Sequence, residues 1–196
     1  MRAVARVQRD PAEVIYADLM ARSIGVGNAP AFAGMIATLC TGGGALPPRL
    51  GLQPAAFHCL IGHLFPGAAA GSLAGSSGPA EGPGWDGRAD EREELVRLML
   101  MHRAGDDPSE VWMAQVVAAG CMASDHLWQD LGLPARGELT ALMRRNFPTL
   151  AARNVKDMKW KRFLYKQLCE AEGIYTCRAP SCQVCTDYHA CFGPEH

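Results

Sequence analysis

Apolar residues recur three and four positions apart along most of the chain and almost nowhere alternate singly, which is the rhythm of helices rather than strands. Two segments open on near-identical start signals, "DPAE" at Asp10 and "DPSE" at Asp107. Each offers an Asp as N-cap, a Pro at the first helical position, where its missing N–H costs nothing, and a Glu three residues after the cap. Further helical runs are predicted at "PAFAGMIATLC", stopped by Gly42 to Gly44, at "PAAFHCLIGHLF", stopped by Pro66, and at "DEREELVRLMLMHRAG", stopped by Gly105. Two more follow Pro134, "GELTALMRRNF" and "NVKDMKWKRFLYKQLCEAEG". In the last of these Trp160, Phe163, Leu164, Gln167 and Leu168 share a face that should meet the core, with lysines and Arg162 largely on the others. Gly173 then ends the helix.

The pattern predicts an all-α fold, a single helical domain over residues 1–196 with a cysteine-rich loop at 174–196. Residues 66–87 are rich in Gly, Ala, Ser and Pro. Such a segment cannot bury enough apolar surface to offset its ordering entropy, and a mobile loop is expected there.

On the helix opened by Asp107, Trp112, Val116, Ala119, Ala123 and Leu127 read as one apolar face, with His126 and Asp130 on or beside it four residues apart. An inward carboxylate would fix the imidazole tautomer and leave the other ring nitrogen for a metal or a cluster sulfide. A satisfied core histidine explains the same pattern and is the simpler reading.

Composition narrows the classes. With 196 residues and 48% hydrophobic content the chain can bury a core without disulfides or a structural metal. No signal-peptide pattern and no apolar stretch of about 18 residues is present, so a soluble cytoplasmic protein is expected, with neither membrane nor nucleic acid as partner. In a reducing compartment eight cysteines would remain thiols, which favours metal or redox chemistry over a disulfide framework. The net charge is only −1, yet it is unevenly spread. Arg144, Arg145, Arg153, Lys156, Lys159, Lys161, Arg162 and Lys166 face a single acid, Asp157, over one short stretch. That excess can attract an anionic cluster, an oxyanion or an acidic partner, or can be an ordinary solvated face. Within it Lys159 and Arg162 are candidate docking residues.

The chain closes on "CRAPSCQVCTDYHACFGPEH", which holds Cys177, Cys182, Cys185 and Cys191 in the spacing Cx4Cx2Cx5C. Four thiolates in one short loop can close a metal site unaided. Structural zinc usually takes two tight pairs separated by a longer stretch, whereas this loop has one tight pair flanked by looser steps. Its first three cysteines follow the Cx4Cx2C order of plant-type ferredoxins, so an iron–sulfur cluster fits better than zinc, which stays open. His189, inside the loop, is a candidate donor to a cluster, and Tyr175, Tyr188 and Phe192 could exclude water or simply pack. Cys40, Cys59, Cys121 and Cys169 lack ligand spacing and read as small buried apolar residues. Met99, Met101, Met113, Met122, Met143 and Met158 read as core fillers.

The run "NVKDMKWKRFLYKQLCEAEG" leading into "CRAPSCQVCTDYHACFGPE", with "HLWQDLGL" upstream, resembles the NifQ family of nitrogen-fixation proteins, most clearly from about Gly120 onward. The resemblance implies a carrier and not an enzyme: a protein that holds a molybdenum–iron–sulfur cluster of Mo-3Fe-4S type, built on a 3Fe-4S or 4Fe-4S precursor. It implies further that molybdenum from molybdate or another donor passes, with the nitrogenase Fe protein, to the NifEN scaffold for the iron–molybdenum cofactor. Carried over by motif, the ligands are Cys177, Cys182, Cys185 and Cys191, three on irons and a fourth that is labile or faces molybdenum. Two other classes share the cysteines: a 4Fe-4S electron carrier and a zinc-stabilised interaction module. No P-loop, nucleophile–base pair or paired acid–base carboxylates stand out.

Overall fold

The computed structural model describes residues 10–25, 27–75, 87–171, 173 and 191–192. Nine α-helices follow one another among them: α1 Pro11–Arg22, α2 Ala29–Cys40, α3 Pro54–Leu64, α4 Ala89–Leu100, α5 Pro108–Cys121, α6 Leu127–Asp130, α7 Arg136–Asn146, α8 Pro148–Ala151 and α9 Trp160–Ala171. No described residue lies in a strand, and the fold is all-α. Among the described residues no helix is long and apolar enough to cross a membrane.

Both Asp-Pro signals act as caps. Asp10 Oδ1 accepts from Ala12 N–H at 2.9 Å and Asp107 Oδ1 from Ser109 N–H at 2.8 Å, each satisfying one of the donors that a helix start leaves unpaired. Glu110 takes a different role from the capping box. Its carboxylate accepts from Gly105 N–H and the Arg103 guanidinium, which folds the α4–α5 connection onto α5. That connection begins earlier than the pattern implies, since α4 stops at Leu100. His102 is instead held to Thr149 Oγ1 at 2.7 Å, and Ala104 N–H bonds Asn146 O.

The core is one cluster with members from α1 through α9. α5 runs through it with Met113, Val116, Val117 and Ala118 fully buried, in one cluster with Phe32 and Ile36 of α2, Leu95 and Met99 of α4 and Phe147 ahead of α8. Three of the buried polar side chains bond one another. Asn28 donates to Ser109 Oγ at 2.8 Å and to Asn146 Oδ1 at 2.6 Å, and Asn146 donates back to Asn28 and to Leu142 O. This closed network joins the starts of α2 and α5 to the end of α7, and because its members satisfy one another it fixes their register without leaving an orphaned group.

Part of the stretch expected to be a mobile loop is packed. Residues 67–75 include a 3-10 turn at Ala70–Leu73, Leu73 and Ala74 lie against the core, and Arg49 N–H bonds Ala74 O at 2.7 Å. Residues 76–86 lie outside the described residues. The triplet Gly42 to Gly44 has a packing reason. Gly44 has φ +69°, and a Cβ there would come within 3.2 Å of Asp130 O, while Ala45 N–H bonds that same oxygen at 2.9 Å. A side chain at residue 44 would push the α2–α3 connection away from α6.

Two other expectations need correction. Met101 is 68% exposed and is not core, because α4 has ended and the chain is already turning. Cys59 is exposed on the outer face of α3, while Cys40 and Cys169 are half-buried. Cys121 fits the expectation. It is buried, and burial pushes its thiol up to about 12, so it stays protonated and inert.

Candidate metal centre

Three of the four tail cysteines, Cys177, Cys182 and Cys185, lie outside the described residues, as do His189, Tyr175 and Tyr188. Cys191 is described. It is half-buried against the core, and Phe192 beside it is only 6% exposed. The decisive contact is through the backbone: Lys159 N–H donates to Cys191 O at 2.8 Å. The end of the cysteine tail is thereby pinned to the residue that precedes α9.

The start of α9 is set by side chains from elsewhere. The sequence run reads as a helix from about Asn154, yet α9 begins only at Trp160. Asn154 clamps Met158 by accepting from its N–H at 2.8 Å and donating to its O at 2.9 Å. Arg136 of α7 donates to Asp157 O, to both Asp157 carboxylate oxygens and to Met158 O. Asp157 accordingly sits at φ +51°, incompatible with a continuous helix. Lys156 and Lys159 therefore precede α9 and do not share a helical face with Arg162. Phe163 N–H bonds Lys159 O at 2.9 Å, which makes Lys159 the flanking residue of the first turn.

The other wall comes from the α5–α6 connection. α5 does not continue to His126 as the apolar periodicity suggests. It ends at Cys121, with Met122 and Ala123 N–H bonding back three residues in a tightened last turn. His126 takes extended backbone angles and precedes α6. Gly120 permits the sharp return, because a Cβ there would lie 2.8 Å from Leu131 Cδ2 and 3.0 Å from Leu127 Cδ1. His126 is thus at a helix start, half-buried, and not on the face of Trp112.

Asp130 is nearly inaccessible, and its carboxylate holds the Lys161 ammonium. Lys161 Nζ also donates to Ala123 O at 2.8 Å. One cation thus joins the first turn of α9 to the α5–α6 connection and to the end of α6. Burial pushes the Asp130 carboxyl above its ordinary value, and the adjoining Lys161 pulls it the other way. The carboxylate expected to orient His126 is spent on this pair.

Two further ties hold α9. Trp160 Nε1 donates to Thr140 Oγ1 of α7 at 3.1 Å. Arg88 donates to Tyr165 OH at 2.8 Å, to both Glu91 oxygens and to Met122 O, while Tyr165 OH donates to Cys121 O at 3.4 Å. Hydrogen bonds from Arg88 hold the Glu91 carboxyl below its usual range, against the effect of burial. Burial is the main cause that lifts the Tyr165 phenol above its own.

Between the walls lies a concavity of about 300 Å³ lined by Ser124, Asp125, His126, Leu127, Lys159, Lys161 and Arg162. His126, Lys159 and Arg162, far apart in sequence, meet there. Cys191 is one hydrogen bond away through Lys159. The pairing of Asp130 with Lys161 carries no sequence signal, since the two lie thirty-one positions apart. Among the described residues no three His, Cys, Asp or Glu side chains gather as a metal site.

A family model described as NifQ matches residues 31–193. The chain belongs to the NifQ family. The match reaches well into the N-terminal half, beyond the region from Gly120 where the likeness is plainest, and takes in all four tail cysteines. Protein NifQ of Azotobacter vinelandii is 50% identical over 156 residues, covering 76% of this chain and 80% of that protein. Protein NifQ of Rhodobacter capsulatus is 35% identical over 158 residues, covering 80% and 83%. That of Klebsiella pneumoniae is 41% identical over 109 residues, covering 54% and 62%. No solved structure matches the chain. Its place in the NifQ family ties it to nitrogen fixation.

Proposed function

We propose that this NifQ-family chain is a cytoplasmic carrier, and not an enzyme, that holds a molybdenum–iron–sulfur cluster as cargo and supplies molybdenum for the iron–molybdenum cofactor of nitrogenase. The observation that carries the reading is the family match over a span that includes Cys177, Cys182, Cys185 and Cys191. The donor set fits the cargo, because thiolates and sulfide are soft ligands suited to iron and to reduced molybdenum. The role of the helical body is to present the tail. Lys159 fixes the backbone of Cys191, and Phe192 anchors in the core. Lys159 and Arg162 put positive charge beside a cluster whose thiolates and sulfides make it anionic, which favours its retention. The NifEN scaffold and the nitrogenase Fe protein are the proposed recipients.

The test is anaerobic purification from nitrogen-fixing cells with metal analysis and electron paramagnetic resonance. Molybdenum with about three irons per chain is expected. Four irons without molybdenum would make it an electron carrier, and a colourless protein with one zinc would make it an interaction module. Single Cys→Ala variants refine the point. Three should lose iron, and one should lose molybdenum while retaining iron; equal loss of both metals from all four would overturn the assignment of a labile position.

A further inference from the structure

The turn between α8 and α9 is held by more bonds than the start of a helix requires. Asn154 accepts from and donates to Met158, Asp157 N–H bonds Asn154 O at 3.1 Å, and the Arg136 guanidinium reaches Asp157 and Met158 from α7. A single capping side chain commonly suffices at a helix start. Asp157 takes φ +51°, a left-handed conformation that Asp tolerates and a β-branched residue does not. Met158 and Trp160, on either side of Lys159, are both buried, so what the turn fixes is the aim of the Lys159 N–H. That N–H holds Cys191 O at 2.8 Å, and the next residue, Phe192, is seated in the core. With its carbonyl and its neighbour both held, Cys191 has a fixed backbone, and its sulfur can move only by rotation about χ1.

We infer that Cys191 is the fixed ligand among the four tail cysteines, one that stays on iron throughout, and that Arg136, Asn154 and Asp157 are positioning residues that hold it through the Lys159 backbone. This assignment rests on the carrier reading and deepens it, because the position that gives up molybdenum then belongs to Cys177, Cys182 or Cys185. A ligand that lets a metal go must swing away from it, and a backbone held at the carbonyl and at the following residue resists that movement. A ligand already in place also loses little further freedom when the metal arrives, so it binds more tightly than one that must be ordered. Groups that orient a metal ligand from behind are typically worth roughly tenfold or more in metal affinity. If the turn served only to start α9, loosening it would leave the Cys191 thiol and the bound iron unaffected.

Two measurements on the full chain test this. In metal-free, reduced protein, alkylation by iodoacetamide is followed at each cysteine by peptide mass spectrometry. Cys191 should react more slowly than in the urea-unfolded chain, and Arg136→Met or Asp157→Val should speed it by roughly tenfold. Asp157→Asn, which keeps the left-handed turn, should stay near the parent. Lys156→Ala, an exposed side chain beside the turn, should change nothing. Cys121, buried in the core, should remain protected, and Cys59, exposed on α3, should react at an unchanged rate. Loss of Cys121 protection together with that of Cys191 would make the turn a support of the whole fold and overturn the positioning role. In the metal-loaded chain, Arg136→Met and Asp157→Val should release iron to a chelator roughly tenfold faster, and Cys191→Ser should lose iron along with molybdenum. Parent rates of labelling and iron release in Asp157→Val, or a Cys191→Ser chain that keeps its full iron and loses molybdenum alone, would overturn the inference and leave the carrier reading standing. A chain that never acquires molybdenum, yet labels at Cys191 as expected, would end the carrier reading and leave the anchoring of Cys191 intact.

Discussion

Asp130 shows how one side chain decides a local structure. It was legible as a polar residue near His126, but its partner is Lys161, thirty-one positions later, and no spacing rule reaches that far. A carboxylate this inaccessible pays a large desolvation cost, and the pair persists because Lys161 answers it directly. Asp130→Asn should therefore cost roughly 2–4 kcal/mol in urea unfolding, since it strands a mostly buried ammonium. The double change Asp130→Leu with Lys161→Met should recover most of that loss. A single variant as stable as the parent would show that the pair is a surface contact. His126 was misplaced for a related reason. The apolar period from Trp112 to Leu127 runs straight across the true helix end at Cys121, and Gly120 with Ser124 and Asp125 was the only local sign of a break.

At the scale of elements, helices with strong local signals were readable and their meeting points were not. α1 and α5 begin where Asp-Pro places them, because a cap and a proline act within one turn. α9 begins six residues later than its run implies, because Asn154 and Arg136 hold residues 154–158 in a turn. The Asn28–Ser109–Asn146 network spans 118 positions and left no trace in the pattern. α9 is tied to α4 through Arg88, Glu91 and Tyr165, which yields a pH prediction. Arg88 depresses the folded-state value of Glu91 below its ordinary 4.5. A depressed carboxyl stabilises the fold fully above that ordinary value, and the stabilisation is lost as pH falls through the lower folded value. Glu91→Gln should flatten the acid limb of the stability–pH curve below about pH 4.5 and leave the slope near neutrality unchanged. Tryptophan fluorescence, with Trp160 at the start of α9, reads the transition.

For the molecule as a whole, the core gathers residues from α1 through α9 and, among the described residues of the tail, takes in Phe192 with Cys191 packed against it. A core of that extent predicts a helical body that folds without metal, unlike small domains whose ligands are their core. Stripping metal with a chelator should leave far-ultraviolet circular dichroism unchanged and lower the unfolding midpoint by only a few degrees. Collapse of helicity on chelation would favour a metal-stabilised module instead. The all-α class and the family were legible because both rest on periodicity and short motifs. The concavity was not, since its walls come from segments about thirty residues apart that only tertiary packing unites.

The seating of Phe192 has a practical bearing on how the gene can be edited. A stop codon placed just ahead of it looks like harmless trimming, yet it would pull a wedge out of the protein's interior and cut Cys191 loose from its mooring. Shortening this end is surgery on the bundle.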